Sequence, residues 1–481
     1  MKRMLVVAAS AAVLSACSVT KPPANVPVDL PSTWYAPPLA HQGSTEQLTA
    51  WWSRFDDPVL TDWVARAQAQ SPSVASARAQ VFAARAASLG VEAETGPQLN
   101  AVANASRGRT DPTMPLGTSL NAGLQASWAI DLWGGNEARR GSAEAQQEAA
   151  GAGWHQARVL VASELAQLYF AQRLCREQLA VAARDRDSRA VTAENNAVSE
   201  RAGLTAPAVA ALARASGAEG AARFRQQDEV CERQVKSLTA LTGVPEPDVR
   251  QRLTAAPDLQ ALLQSPRMDQ LLSVNAVPAE VIRQRPDVYR AQRDLVAASE
   301  EVGVARAALL PSLSLSGSLL RNRFSGGGTE GTFNTWSVGP LTLSMPLLGR
   351  DALRANTDSA QARYEAAAIA YAGTLRQAVA EVEQALVSIS SLRERVASTD
   401  TAVAGYGQSF QATEARYRVG LATVTVSEGL GAASAAGVGA SALPGFLMKT
   451  QNTPRRTTAR AMASQSQRLR DCGGTAFMMG L

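Results

Sequence analysis

Histidine is almost missing from this chain. Only His41 and His155 occur in 481 residues, which argues against a His-rich metal site or a triad built on imidazole. A one-signed charge is missing too. Lys and Arg (47) exceed Asp and Glu (42) by five. However, Lys2 and Arg3 lie at the extreme amino end, and Lys449, Arg455, Arg456, Arg460, Arg468 and Arg470 all lie beyond residue 423. Residues 17–423 carry 39 basic and 40 acidic groups, so the pI near 9.2 describes the two ends. Phosphate binding needs Lys and Arg gathered on one face of a folded body, and that footprint is not here. Past residue 17 no run of 18 or more uncharged apolar residues appears, so no transmembrane helix is expected. These shortages make an enzyme the weaker reading.

What is present begins with a leader. Lys2-Arg3 followed by the apolar run 4–14 has the charged and short apolar parts of a secretory signal, too short to span a bilayer as a helix. Leu14-Ser15-Ala16-Cys17 resembles the lipobox of bacterial lipoproteins, where the cysteine sulfur is lipidated and becomes the new amino terminus. The alternative is an ordinary small-residue cleavage site with Cys17 incidental. By resemblance to that class, Ser18 in place of Asp after the cysteine favours the outer membrane.

The remainder is an internal repeat. Ser71-Pro72-Ser73-Val74 matches Arg285-Pro286-Asp287-Val288, and Leu89-Gly90-Val91 matches Val302-Gly303-Val304. Pro97-Gln98-Leu99 matches Pro311-Ser312-Leu313, Leu132-Trp133-Gly134 matches Leu347-Leu348-Gly349, and Arg201-Ala202-Gly203-Leu204 matches Arg418-Val419-Gly420-Leu421. The offsets, 214, 213, 214, 215 and 217, come in unbroken order. The repeating unit is therefore a duplicated domain, far longer than a solenoid repeat.

Each copy switches period. From 119 to 131, Leu120, Ala122, Leu124, Ala126, Trp128 and Ile130 alternate with polar or small residues, the signature of a strand with unlike faces. Residues 99–106 form a weaker partner strand. In the second copy Leu313, Leu315, Gly317 and Leu319 alternate with serines, and 333–347 changes phase near Pro340, which suggests a bulge. Gly326-Gly327-Gly328 lacks the strand-to-helix context of a phosphate loop and reads as a hairpin turn. Outside the hairpins the chain is rich in Ala, Gln, Glu and Arg. Neither 135–203 nor 350–420 contains proline, and helices of that length reach on the order of 100 Å. They imply a coiled-coil-like assembly. Each ends at a Gly-Leu pair, with Gly203 and Gly420 suited to the position just past a helix end. Thr205 is then placed to cap a return helix carrying Pro207 in its first turn. The stretch before the first hairpin, 57–96, reads as one helical limb.

Cys175 and Cys231 lie equally far before and after Gly203 in the sequence, so an antiparallel helix pair turning there brings them to one level. Helix rotation decides between a disulfide and two small buried apolar residues. Four strands of membrane length cannot close a barrel, for which about eight are needed, and an open edge in lipid leaves backbone groups unsatisfied. The barrel is therefore expected to be shared: three chains give twelve strands around a lumen, continued by helices.

At this point the residues resemble a known family. The lipobox, the junction Ile130-Asp131-Leu132-Trp133-Gly134, Arg285-Pro286-Asp287-Val288, the segment from Val302 to Ala307, Leu310-Pro311-Ser312-Leu313 and the run from Ala415 to Thr423 look like the outer-membrane efflux factors. The nearest group is the lipidated, TolC-like NodT/OprM subfamily. The resemblance implies a mainly α fold with a membrane part: a trimeric 12-stranded β-barrel joined to a long α-helical barrel. It implies a passive duct of a tripartite efflux system in the outer membrane. Such a duct is a homotrimer docked through a periplasmic adaptor to an inner-membrane transporter, and drugs, small toxic compounds or metal ions leave through it. No catalytic residue, metal or cofactor is implied beyond the lipid on Cys17, and no nucleic acid. By the same resemblance Arg201, Gly203, Leu204, Thr205, Arg418, Gly420 and Leu421 lie at the periplasmic tips that meet the adaptor; the plainer alternative is that the two glycines only end helices. The expected organisation is a signal peptide at 1–16, a lipidated segment at 17–56, a first repeat at 57–245, a connection at 246–280, a second repeat at 281–423 and an atypical tail at 424–481. Other classes are an adaptor lipoprotein, which would have a single hairpin, and a poreless coiled-coil lipoprotein, which the alternating strands oppose.

The tail departs from the pattern. Residues 424–446 carry only Glu428 as a charge, and 14 of those 23 are Ala, Gly or Ser. Glycine at that density costs about 1 kcal/mol each in a helix interior relative to alanine. The expected return helix is missing there, which suggests a changed reading frame near residue 423, a chain lacking one helix and, as a consequence, poor assembly; the alternative is a divergent natural tail.

Overall fold

A computed structural model describes residues 19–24, 51–109, 116–263, 282 and 285–419. The leader, Cys17, Gly420, Leu421, most of the connection after residue 263 and the tail 424–481 lie outside them. The chain divides into two compact units, one from 1–166 and 239–387, the other from 167–238 and 388–481.

In the first unit a short 3-10 turn, Trp51–Phe55, precedes α1 (Pro58–Gln70) and α2 (Pro72–Thr95). The limb that reads as one continuous helix is two. Asp57 starts α1, its carboxylate accepting from the amides of Val59 (3.0 Å) and Leu60 (3.1 Å). Ser71 then closes α1 and caps α2 in an extended conformation. Pro72 is the cause, because its ring excludes the residue before it from helix while suiting the first helical position itself. Strands β1 (Gln98–Gly108) and β2 (Gly117–Ile130) follow, each longer than its alternating stretch. Then come α3 (Gly135–Arg201), α4 (Pro207–Thr242), and the short α5 (Glu246–Ala255) and α6 (Leu259–Leu263). The second series is α7 (Pro286–Ala307), β3 (Ser312–Gly326), β4 (Thr329–Ser344) and α8 (Arg350–Arg418). Pro286 stands to Pro72 at the same sequence offset as Ser312 to Gln98, so helix and strand starts repeat together.

The four strands form one antiparallel sheet in the order β1-β2-β3-β4, so the two hairpins meet where β2 pairs with β3. The phase change near Pro340 is a register shift between Leu315 and Gly317, opposite the bend at Gly339-Pro340. Gly326 pairs with Thr329 across a two-residue turn in which Gly327 and Gly328 have φ of 61° and 80°. Both central residues of this tight hairpin need the left-handed conformation that glycine adopts at least cost. Helices α7 and α8 pack along a seam of seven-residue spacing, Val288, Leu295 and Val302 against Tyr364, Tyr371 and Ala378, the spacing of supercoiled helices.

In the second unit α3 turns into α4. The amides of Gly203 and Leu204 donate to the carbonyls of Glu200 and Ser199 (2.9 Å each), and Gly203 has φ of 71°. This is a helix end closed by a left-handed glycine. Thr205 does not cap the return helix. It is Ala206 whose carbonyl takes the amides of Val209 and Ala210, because Pro207 at the first helical position leaves the residue just before it, not Thr205, at the cap. Cys175 and Cys231 are disulfide-bonded with Cα atoms 5.6 Å apart, both buried beside the α4 core residues Val235 and Leu238. By contrast, no residue from 388 to 419 of the chain is buried.

Candidate functional site

The sheet is the chain's most unusual surface. Its registers place Leu99, Ala101 and Ala105 of β1 and Leu120, Leu124, Trp128 and Ile130 of β2 on one face. Leu313, Leu315 and Leu319 of β3 and Trp336, Val338, Leu341 and Leu343 of β4 join them. Among the described residues nothing covers that face: Trp336 is 77% exposed and Val338 83%. An apolar patch of this extent on a soluble protein marks a surface that meets another apolar phase. The opposite face carries Asn100, Asn104, Asn121, Gln125, Ser318, Asn322, Thr335 and Ser337, and no charge among the described strand residues. Asn104, Asn121 and Asn322 form one row across three strands. Along β3 and β4 the polar side chains bond each other: Asn322 Nδ2 donates to Thr335 Oγ1 (2.9 Å), and the Ser318 and Ser337 hydroxyls lie 2.9 Å apart. Among the described residues β1 and β4 have no strand partner on their outer sides. One apolar face, one wet face and two unpaired edges are what a membrane barrel segment requires, and a lone sheet does not tolerate them.

The sheet enters helix through a built junction. Asp131 Oδ2 accepts from the Glu137 amide (2.9 Å), Asn136 Nδ2 donates to the Ala129 carbonyl (3.1 Å), and Gly134 turns the chain at φ 80°. Trp133 Nε1 donates to the Pro311 carbonyl (2.6 Å), tying the exit of the first hairpin to the entry of the second. A strap at 19–24 runs alongside. The Val19 amide donates to the Trp133 carbonyl (3.1 Å), Ser299 Oγ to the Pro22 carbonyl (2.6 Å) and the Tyr364 hydroxyl to the Pro23 carbonyl (2.8 Å). Arg306 reaches the Thr20 carbonyl, and Lys21 Nζ lies 2.6 Å from Glu300 Oε2.

Arg285-Pro286-Asp287-Val288 is a helix clamp. Arg285 donates to Asp287 (2.7 Å) and to Glu381 of α8 (2.8 Å). The Asp287 hydrogen bond holds the Arg285 guanidinium above its ordinary range. Burial pushes the Asp287 carboxyl up, but the hydrogen bond and charge of Arg285 outweigh burial and hold it below its usual value. At the α3–α4 turn Leu204 is 82% exposed, and Arg201 lies 3.2 Å from Glu194. At the end of α8 Arg418 lies 2.7 Å from Glu414, while Gly420 and Leu421 lie outside the described residues. No group of three or more His, Cys, Asp or Glu could hold a metal among the described residues. No described helix is long and apolar enough to cross a membrane. Sequence reasoning missed the strap, the Arg285–Glu381 link and the asparagine row. Only the row had a readable signal: three asparagines at polar positions of neighbouring strands.

The family described as outer membrane efflux protein matches this chain over residues 63–244 and 277–435, past the point where the sequence leaves the expected pattern. Nodulation protein T of Rhizobium leguminosarum bv. trifolii is 28% identical over 385 residues, covering 78% of this chain and 79% of that one. The pyoverdine export outer membrane protein OpmQ of Pseudomonas aeruginosa is 29% identical over 433 residues, covering 85% and 86%. Among solved structures the outer-membrane channel OprN superposes with a TM-score of 0.70 at 25% identity, covering 87% of this chain and 95% of that one.

Proposed function

Since the chain belongs to the outer membrane efflux protein family, whose members are the outer-membrane channels of tripartite efflux systems, we propose that three copies close a twelve-stranded barrel and act as a passive duct. The carrying observation is the open four-stranded sheet, with a leucine- and tryptophan-lined face and with β1 and β4 free to pair with neighbours. Its opposite face is uncharged and rich in Asn, Gln, Ser and Thr, although it also carries Val102, Leu320, Phe324 and Phe333. Each edge row would otherwise leave backbone amides and carbonyls unpaired in lipid, at several kcal/mol each. Twelve strands surround a lumen wide enough for solutes. The duct spends no energy and chooses little: the inner-membrane transporter drives and selects, and an adaptor links the two.

The Cys17 sulfur carries the lipid in this reading. Two residue steps, at most about 7 Å of chain, separate Cys17 from Val19, whose amide is held at the strand-to-helix junction. That tether length supports a lipid inserted beside the barrel. The turn at Arg201, Gly203, Leu204 and Thr205, and the end of α8 at Arg418, Gly420 and Leu421, are the proposed adaptor contacts; the exposed Leu204 supports an apolar component of that contact. The proposal rests on three copies. Purified protein is expected to run as a heat-modifiable trimer and to give single-channel conductance in planar bilayers. Conductance from material that stays monomeric in detergent would overturn it.

A further inference from the structure

The apolar face of the sheet ends in arginines. On β2 the face runs from Ile130 to Leu120, about 34 Å along a strand and about 25 Å along the membrane normal at the tilt of such barrels. That is the height of a lipid-facing band. At its loop end, opposite the helices, Ala122 stands beside Arg321 and Leu120 beside Arg323, while Arg107 of β1 lies one row further, level with Thr118. All three share the face of Leu124 and Trp336 and are exposed. Glu330 is the one acidic residue on this part of the face among the described residues and is paired with Arg323. Arg107 and Arg321 have no protein partner among the described residues. A cation one row inside the edge of a hydrocarbon band lies with its stem along the apolar surface and its guanidinium in the headgroup layer.

From this placement we propose that Arg321, Arg323 and Arg107 form a binding site for the phosphate groups of an anionic glycolipid of the outer leaflet. The inference rests on the barrel reading, since only then does this face meet lipid. Guanidinium suits phosphate because its fork of N–H donors matches two phosphate oxygens at once. Charge selects the occupant: three arginines against one glutamate give a net positive rim directly above apolar rows that take acyl chains. The sites repeat around the barrel, one per copy, and Arg107 lies on β1, the edge strand that pairs with a neighbouring copy in that reading.

The test uses the purified full-length trimer in detergent, with its thermal dissociation followed on semi-native gels. Three additives are compared: bisphosphorylated lipid A, the same lipid after phosphatase treatment, and inorganic phosphate. The intact lipid is expected to raise the dissociation temperature, and the other two to leave it unchanged. The double variant Arg321→Gln/Arg323→Gln is expected to keep the trimer band but to need about thirtyfold more lipid, the effect of removing two arginine charges near a headgroup layer. The double variant to Lys, which keeps both charges and loses the forked donors, is expected to need more lipid than wild type but less than the Gln variant. Equal stabilisation by the dephosphorylated lipid, or a Gln variant within twofold of wild type, overturns the site. A response to inorganic phosphate alone reduces it to an anion site and overturns the lipid assignment. A wild-type chain with no trimer band overturns the barrel reading itself and this inference with it.

Discussion

Breaking the Cys175–Cys231 bond should loosen the helical hairpin beyond it more than any other single change in that unit. The bond closes a loop with a sequence separation of 56. On the chain-entropy account such a closure stabilises the folded hairpin by about 4 kcal/mol at 25 °C. Little else in that stretch competes. Between residues 176 and 230 only Thr192, Ala210, Ala213 and Gly220 are buried in the single chain, and a buried methyl group is worth only about 0.8 kcal/mol. Hydrogen exchange followed by mass spectrometry reads this directly. Peptides from 176–230 are expected to lose up to about a thousandfold in protection in a Cys175→Ala/Cys231→Ala variant, since each 1.4 kcal/mol is tenfold. Peptides around Val288 to Val302, in the other unit, should be unchanged. A double variant whose 176–230 peptides stay within threefold of wild type would show that packing, not the cross-link, holds the hairpin, and would refute the reasoning.

Three further outcomes follow from the geometry. A Cβ on Gly123 would lie 2.0 Å from the Leu319 carbonyl oxygen, whereas Gly331 has open space around it; Gly123→Ala should therefore abolish the heat-resistant oligomer on gels and Gly331→Ala should not. Asp287 has a folded carboxyl value held below 3.8, so its contribution to α7 and α8 is full above about pH 4 and is lost as pH falls through the lowered folded value. Thermal melts of wild type should drop more steeply as pH falls below about 4 than those of Asp287→Asn, and parallel curves would count against the clamp. Trp133→Phe removes the indole donor to Pro311 and should cost about 1 kcal/mol, read as faster exchange in peptides spanning 307–315 with protection elsewhere kept.

The parts of this fold legible in the sequence are those where one physical pattern acts alone. Alternation from Leu120 to Ile130 can only be a two-faced strand, and the glycine at 203 has few uses other than ending a helix. The break at Ser71-Pro72 is hidden because the helical spacing on either side continues through it, and only the proline's effect on its predecessor reveals it. Thr205 misleads for a related reason: hydroxyl caps are common, but the position of Pro207 settles which residue sits at the cap. The strap is illegible in principle. Apart from the Lys21–Glu300 ion pair, its contacts are made by the Val19 amide and the carbonyls of Thr20, Pro22 and Pro23, groups that nearly every residue has, so no side-chain pattern announces them. The arginine rim needs the pairing register: Arg321 and Arg323 look like loop residues until β3 is laid against β2.

The unpaired margins of β1 and β4 also set a hazard for the newly made protein. Before it meets its sisters, each copy carries two open hydrogen-bonding borders beside a greasy surface, the combination that seeds aggregation. Productive encounters need further copies in the right order, whereas wrong ones need only a single neighbour. Raising expression therefore favours clumping unless a holding factor shields the borders or delivers copies directly into lipid, and yield should fall once synthesis outpaces that delivery.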